Sequence, residues 1–301
     1  MAQRPNAPSV LNRQVNWPEV QCNWGRSYNG EIVETIQVKD MLEAGAHYGH
    51  QTRRWNPKMK PYIYGARNGI YILNLGRTAK LLKDAQNFLS RITARGEQVL
   101  FVATKRQARD IVREEAGRAK QPVVAHRWLG GTLTNFRTLK TSIEKLAEIE
   151  RMLSPEMAGR LPKKELSFLA KQRDKLVRNI GGLRTMPAMP GAIFVVDPVE
   201  EHIAIAEARR KGIPIIALCD TNADPDVVDY IIPANDDAMR SIRLFVKAAA
   251  DACLAGAAMS RENMGRDFEG GTTSASASDR VEVIVKPRHV DVVADEIEEE
   301  V

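Results

Sequence analysis

Along the middle of the chain, short runs of consecutive apolar residues alternate with segments whose apolar residues recur every three or four positions. The runs are EQVLFVA (97–103), VVAH (123–126), AIFVVD (192–197), IPIIALCD (213–220) and DYIIP (229–233). Continuous apolar runs this short predict strands buried on both faces, as in a parallel sheet covered by helices. The segments between them open on helix-start signals. Thr104 with Gln107 three residues on reads as a capping box. Asp197, Pro198 and Glu200 read as cap, first-turn proline and box closure for a helix ending at Gly212. Asp224-Pro225 opens a short turn or helix. Asn235 caps a long helix with Met239, Ile242, Phe245, Val246, Ala249 and Cys253 on its apolar side. Strand, capped helix and strand in repetition predict an α/β fold, a parallel sheet with helices on both faces.

One segment departs from this alternation. Between the runs at 126 and 192 only helical periodicity is found: Phe136, Leu139, Ile143, Leu146 and Leu153, then Leu166, Leu169, Leu176, Ile180 and Leu183. A narrow apolar stripe on each of two charged helices predicts an antiparallel coiled-coil helical hairpin over 132–180, inserted between sheet-domain segments 37–131 and 181–257. Gly130-Gly131 and Gly181-Gly182 flank it and suit tight bends at its base. Upstream, VKDMLEAGAHYGH (38–50) reads as a short helix with Val38, Met41 and Leu42 on one face and Gly45 as its stop. PYIYGARNGIYILNL (61–75) reads as a β-hairpin turning at Asn68-Gly69. Residues 1–36 are expected to be a flexible extension, and 258–301 a linker and acidic tail, mostly disordered, in which VEVIV (281–285) could add a strand.

Composition narrows the function. Of 301 residues, 44% are hydrophobic and 27% charged, the balance of an ordinary globular chain, and no apolar run approaches the ~20 residues of a membrane span. The first residues lack the apolar stretch of a secretory signal, and Cys22, Cys219 and Cys253 are too scattered for a disulfide framework or a metal spacing, which fits a reducing cytoplasm. Net charge is +6, but residues 262–301 carry 4 Lys/Arg against 11 Asp/Glu, so the tail holds −7 and the remainder +13. A body that cationic attracts polyanions. The densest cationic segment is HQTRRWNPKMK (50–60), in which His50, Arg53, Arg54, Lys58 and Lys60 surround Trp55. A charge run alone is often no more than a solvated surface. An indole left in water lacks a partner, so Trp55 is expected to pack on a sugar or base, or to brace the loop. Arg67, Arg106 and Arg137 extend the basic surface over other elements. Separate patches of this kind suit a folded RNA better than one groove on a duplex.

Parallel sheets also host enzymes, yet no dinucleotide or P-loop glycine motif is present. Asp197, Asp220, Asp224, Asp226 and Asp229 fall at or after strand ends and could converge on Mg²⁺, so the alternative function is a Mg²⁺-dependent enzyme of phosphate esters. Cap and turn roles account for most of these aspartates. His47 and His50, three apart, lack a second ligand pair nearby and are expected to be structural or RNA-contacting. No catalytic residue, cofactor, metal, membrane or small-molecule substrate is expected.

Four longer stretches carry a resemblance: VKDMLEAGAHYGHQTRRWNPKMKPYIYGARNGIYILNL, HRWLGGTLTNFRTL, NIGGLRTMPAMPGAIFVVDPVEEHIAIAEARRKGIPIIALCDTN and DPDVVDYIIPANDDAMRSIRL. From about Val38 to Ala255 the chain resembles the bacterial small-subunit ribosomal proteins of the S-two family. The resemblance implies a flavodoxin-like sheet with a protruding helical hairpin. It also implies a structural role where the head of the small ribosomal subunit meets its body, in contact with ribosomal RNA. Implied neighbours are other small-subunit proteins, including the S-one protein that captures messenger RNA. The resemblance does not reach residues 1–34 or the tail, and the RNA-facing residues named above rest on charge and position.

Overall fold

Burial on both faces is what makes the apolar runs strands of one sheet. Every residue of β4 (Val99–Val102), β6 (Ala192–Val196) and β7 (Ile215–Cys219) is buried. With β5 (Val123–Val124) and β8 (Tyr230–Pro233) they form a five-stranded parallel sheet of order β5-β4-β6-β7-β8. Counted along the chain this is the 2-1-3-4-5 order of flavodoxin-like sheets, which reverses between β4 and β6. The computed structural model describes residues 36–159 and 162–269. The expected strand at 281–285, the acidic tail beyond Glu269 and the extension up to residue 35 lie outside them.

Alternation along each strand splits the core in two. Phe101, Phe194, Val196 and Leu218 face one layer, built with α2 (Leu75–Ala94), α3 (Arg106–Arg118) and α8 (Met239–Glu269). Leu100, Val102, Ile193, Val195 and Ala217 face the other, with α7 (His202–Lys211) and the bases of α4 (Phe136–Met152) and α6 (Lys163–Ile180). Helix α2 is not among the elements the sequence predicts. It packs on β8 and α8 through Leu82, Ala85 and Leu89. By its contacts the chain divides into Met1–Ser260 and Arg261–Val301; of the second unit, Arg261–Glu269 is described and is helical. Helix α8 therefore continues past residue 258, where a linker is expected from the sequence.

Some local expectations are corrected. Helix α1 covers only Val38–Glu43 and buries only Met41, while Val38 and Leu42 are exposed. Gly45, at φ +74°, ends it as expected, but Tyr48–Gln51 is a strand, β1. It pairs with β3 (Ile70–Leu73), which pairs with β2 (Ile63–Arg67), so the hairpin is part of a three-stranded antiparallel sheet. The hairpin turns at Asn68 and Gly69, both at positive φ, as an Asn-Gly turn requires. Thr104 does not cap α3: the N-cap is Lys105, and the Thr104 N–H donates instead to Glu201 Oε1 at 2.5 Å. Asp197 accepts from the Val199 and Glu200 N–H groups, capping a turn, and α7 begins only at His202.

The loop between β5 and α4 is held by one carboxylate. Glu207, from α7, is only 8% exposed and accepts from Trp128 Nε1 (3.0 Å), the N–H groups of Gly131 (2.7 Å), Leu133 (2.9 Å) and Thr134 (3.0 Å), and Thr134 Oγ1 (3.1 Å). Burial pushes this carboxyl up, but the donors outweigh it and hold the group below its ordinary value. Gly131 bends the loop at φ +94°. At the other end of the inserted helices the tight position is Gly182, where a Cβ would collide with the Val123 carbonyl of β5. Gly181 has more room, its nearest neighbour being the Val177 side chain at 3.4 Å.

Gly182→Ala should therefore lower stability by about 1–3 kcal/mol in urea denaturation, and Gly181→Ala by less than about 0.5 kcal/mol. Glu207→Gln turns an amide NH₂ toward main-chain donors and should cost more than about 2 kcal/mol at neutral pH. A depressed carboxyl contributes its stabilisation above the unfolded value and loses it as pH falls through the folded one. The gap between wild type and Glu207→Gln should therefore shrink between about pH 7 and about pH 3.

Candidate functional site

The carboxyl ends of the parallel strands carry a cluster of charged residues. Lys105 follows β4, Asp197 follows β6, Asp220 follows β7, and Asp236-Asp237 follow β8. Parallel register brings these ends together although they are far apart in sequence. Lys105 Nζ lies 3.4 Å from Asp197 Oδ2, 2.8 Å from Asp236 Oδ1 and 2.6 Å from Asp237 Oδ1. Burial opposes the charge of Lys105, but the carboxylates prevail and raise its pKa. Asp236 is fully buried. That burial, with the charges of Asp197 and Asp220 and against the pull of Lys105, pushes it up to about 7.

His50 joins this cluster from the antiparallel sheet. Its N–H donates to Thr221 Oγ1 at 3.0 Å, its Nδ1 lies 2.8 Å from Asp220 Oδ2, and its Nε2 lies 3.6 Å from Asp237 Oδ2. The close approach of the Asp220 carboxylate raises its pKa against the effect of burial, helped by the charges of Asp236 and Asp237. His47 does not share a helical face with it, since β1 begins between them.

The rest of the cationic segment is two 3-10 turns, Thr52–Arg54 and Pro57–Tyr62. They are pinned to the main sheet at three points. The Asn56 N–H donates to the Thr221 carbonyl at 2.8 Å, Met59 is fully buried in the second core layer, and Lys58 Nζ lies 3.0 Å from Asp224 and 2.6 Å from Asp226. Trp55 is half-buried against Tyr71, with ring centroids 5.1 Å apart, and so braces the loop from within. Arg53, Arg54 and Lys60 are exposed, and no carboxylate pairs with them among the described residues. Arg53 Nε donates only to Gln51 Oε1, at 3.1 Å. Arg67 stands beside them: Arg67 and Gln51 both pair with Ile70, from opposite sides, and the Thr52 N–H donates to the Gly69 carbonyl. Arg106 and Arg137, on α3 and α4, are also exposed but belong to other elements.

The five aspartates singled out in the sequence do not converge. Asp197 and Asp220 enter the buried cluster, Asp224 and Asp226 hold Lys58, and Asp229 accepts from the Ile215 N–H at 2.8 Å. Sequence reasoning misses Asp236 and Asp237, although their place just after the DYIIP strand is a usable signal. Lys105, next to the exposed Arg106, is not free basic surface: three carboxylates hold it.

Removing the one ammonium would leave Asp236 buried without a counter-charge. Lys105→Met should therefore lower stability by about 3–5 kcal/mol in chemical denaturation. A loss below about 1 kcal/mol would show that the cluster does not depend on it.

Comparison with known proteins adds to this geometry. Residues 41–256, more than two thirds of the chain, match the family model described as ribosomal protein S2. The chain is 53% identical over 240 residues to the small ribosomal subunit protein uS2 of Sorangium cellulosum, covering 80% of this chain and 85% of that one. It is 52% identical to the uS2 protein of Lawsonia intracellularis, covering 78% and 80%, and 50% identical to that of Nitratidesulfovibrio vulgaris strain DP4, covering 80% and 95%. The matched region takes in the whole cationic segment, the strand-end cluster and the loop held by Glu207, and on this ground the chain belongs to the ribosomal protein S2 family.

Proposed function

We propose that this protein is a structural, non-catalytic component of the small ribosomal subunit in the cytoplasm, binding ribosomal RNA through the outer end of its antiparallel sheet. The observation that carries this reading is the pinned loop with outward cations. Asn56, Met59 and Lys58 fix the backbone, and Arg53, Arg54, Lys60 and Arg67 remain without acidic partners among the described residues. A preset array of cations neutralises phosphates with little ordering entropy and little base preference. Within it the roles divide. Lys58 and His50 are already engaged by aspartates, so they set the shape of the loop while the other cations meet the RNA.

Helices α4 and α6 are read as an antiparallel coiled-coil arm. Leu139 and Leu146 of the first are buried in the same apolar layer as Ile180 of the second, with Phe136, Ile143 and Leu176 against it, which supports the reading. Phe168 and Val177 are left exposed on α6. Such an arm serves contact with neighbouring small-subunit proteins, and the resemblance names the S-one protein among them. Arg106 and Arg137 supply secondary RNA contacts on separate faces. The phosphate-ester enzyme loses ground because all five of its aspartates have structural partners within the described residues.

Co-sedimentation with small subunits at moderate salt tests the core of this reading, and absence from them would refute it. Binding to small-subunit RNA should fall linearly on a log–log salt plot. In an Arg53→Ala, Arg54→Ala double variant the slope should drop by about one unit for each phosphate that is no longer neutralised. An unchanged slope would remove this loop from the RNA interface.

A further inference from the structure

A cleft of about 830 Å³ opens where α3, the end of β5, α4 and the last turns of α6 meet. Four guanidinium groups line it, from Arg113, Arg173, Arg178 and Arg184, against two carboxylates, Glu150 and Asp174. Both carboxylates are already engaged. Arg184 Nη2 lies 2.5 Å from Glu150 Oε1, and Arg173 Nη2 lies 2.7 Å from Asp174 Oδ1. Arg178 has no carboxylate partner among the described residues. Arg113 has only Asp110, 3.8 Å away and 88% exposed, too distant and too solvated to neutralise it. Val123, Ala125 and Val177 form an apolar wall of the same cleft. We infer that this cleft binds a phosphate-bearing ligand of nucleotide size, its phosphate held by Arg113 and Arg178 and its remainder lying against the apolar wall.

His126, just after β5, ties these cations together. Arg113 Nη2 donates to His126 Nε2 at 2.8 Å, so that nitrogen carries no proton and the contact fixes the direction of the guanidinium. Burial lowers the pKa of His126, and the charges of Arg109 and Arg113 on α3 and of Arg178 on α6 lower it further, with Asp110 on α3 opposing them. Glu150 and Arg184, which line the cleft from the remaining elements, offset each other. A neutral ring among three guanidinium groups marks positive potential that no side chain compensates, and a bound anion relieves it. Phosphate meets the geometry better than a carboxylate does. Its oxygens accept from several directions, so the forks of two helices can engage it at once, whereas one fork satisfies a carboxylate. The volume falls within the about 300–1,000 Å³ of small-molecule sites, well beyond a bare ion. Gly182 keeps the floor rigid, since its backbone packs directly on the Val123 carbonyl. The inference does not depend on the RNA reading, since none of its residues belongs to the cationic loop.

The test titrates the purified full-length protein by calorimetry with adenosine 5′-monophosphate, with adenosine and with inorganic sulfate. One nucleotide should bind per chain, at least about tenfold more tightly than sulfate, and adenosine should not bind. Arg113→Gln and Arg178→Gln, both at exposed helix positions, should each weaken the nucleotide at least about tenfold, with circular dichroism checking their fold. Sulfate keeps its charge from about pH 5 to about pH 8, where His126 titrates. Bound sulfate should raise the pKa of His126, followed by its NMR signals, and sulfate affinity should grow as pH falls through that value. Competition by a ribotetranucleotide with a free 5′-hydroxyl assigns the phosphate to an RNA strand, and lack of competition assigns it to a free nucleotide; either outcome upholds the site. Equal nucleotide affinity in wild type and both variants, or His126 signals unmoved by sulfate, would overturn it. Displacement of the nucleotide by an equal concentration of hexaglutamate would overturn it as well, marking the cleft as a dock for an acidic protein segment.

Discussion

The antiparallel sheet and the cationic loop are positioned by the compensation of buried negative charge at the strands' carboxyl ends. Parallel strands place those ends side by side, and here β6, β7 and β8 each deliver an aspartate there. Such a concentration of carboxylates is stable only if cations are built in. Lys105 supplies one from the β4–α3 connection, and His50 supplies the other from a separate sheet. Meeting that demand fixes where the antiparallel sheet sits. A side chain at Gly49 would strike Asp220 and Thr221, so β1 lies directly against the end of β7.

The cationic segment inherits its rigidity from this arrangement. Strand β1 leads into the two 3-10 turns, and the second turn returns to the same region through Lys58 and the aspartates that follow β7. Some cations are thus consumed in holding the loop and others remain outward. That division is what the proposed RNA-binding reading rests on. Trp55 follows the same logic, since its contact with Tyr71 stiffens the loop from inside.

Glu207 plays a corresponding part in the second core layer. A single carboxylate gathers the donors of a loop that has no regular structure to satisfy them. The base of α4 is thereby fixed to α7, and Gly182 lets α6 return close to β5. Buried main-chain N–H groups must find acceptors, and here one side chain serves for a whole segment of sheet or helix.

Much of this is legible in the sequence because it depends on near neighbours. Apolar runs mark strands buried on both faces, Asp224 caps its short turn, and Asn68-Gly69 turns a hairpin whatever surrounds it, whereas Asn235 caps only the turn before α8, which begins at Met239. Helix α2 escapes notice because its buried face mixes Leu82 and Leu89 with Thr78 and Gln86, whose burial depends on Pro233 and Ala248 accepting their hydrogen bonds. The third strand, β1, reads as helix because Tyr48–Gln51 has no strand pattern until β3 pairs with it. The division of labour among the charges is beyond the sequence altogether. Lys105 meets Asp236 across 131 residues and Lys58 meets Asp224 across 166. The basic composition alone led to the expectation of a polyanionic partner. Which cations remain to meet it was decided by tertiary structure, because charge pairing follows distance in space and the sheet alone sets that distance.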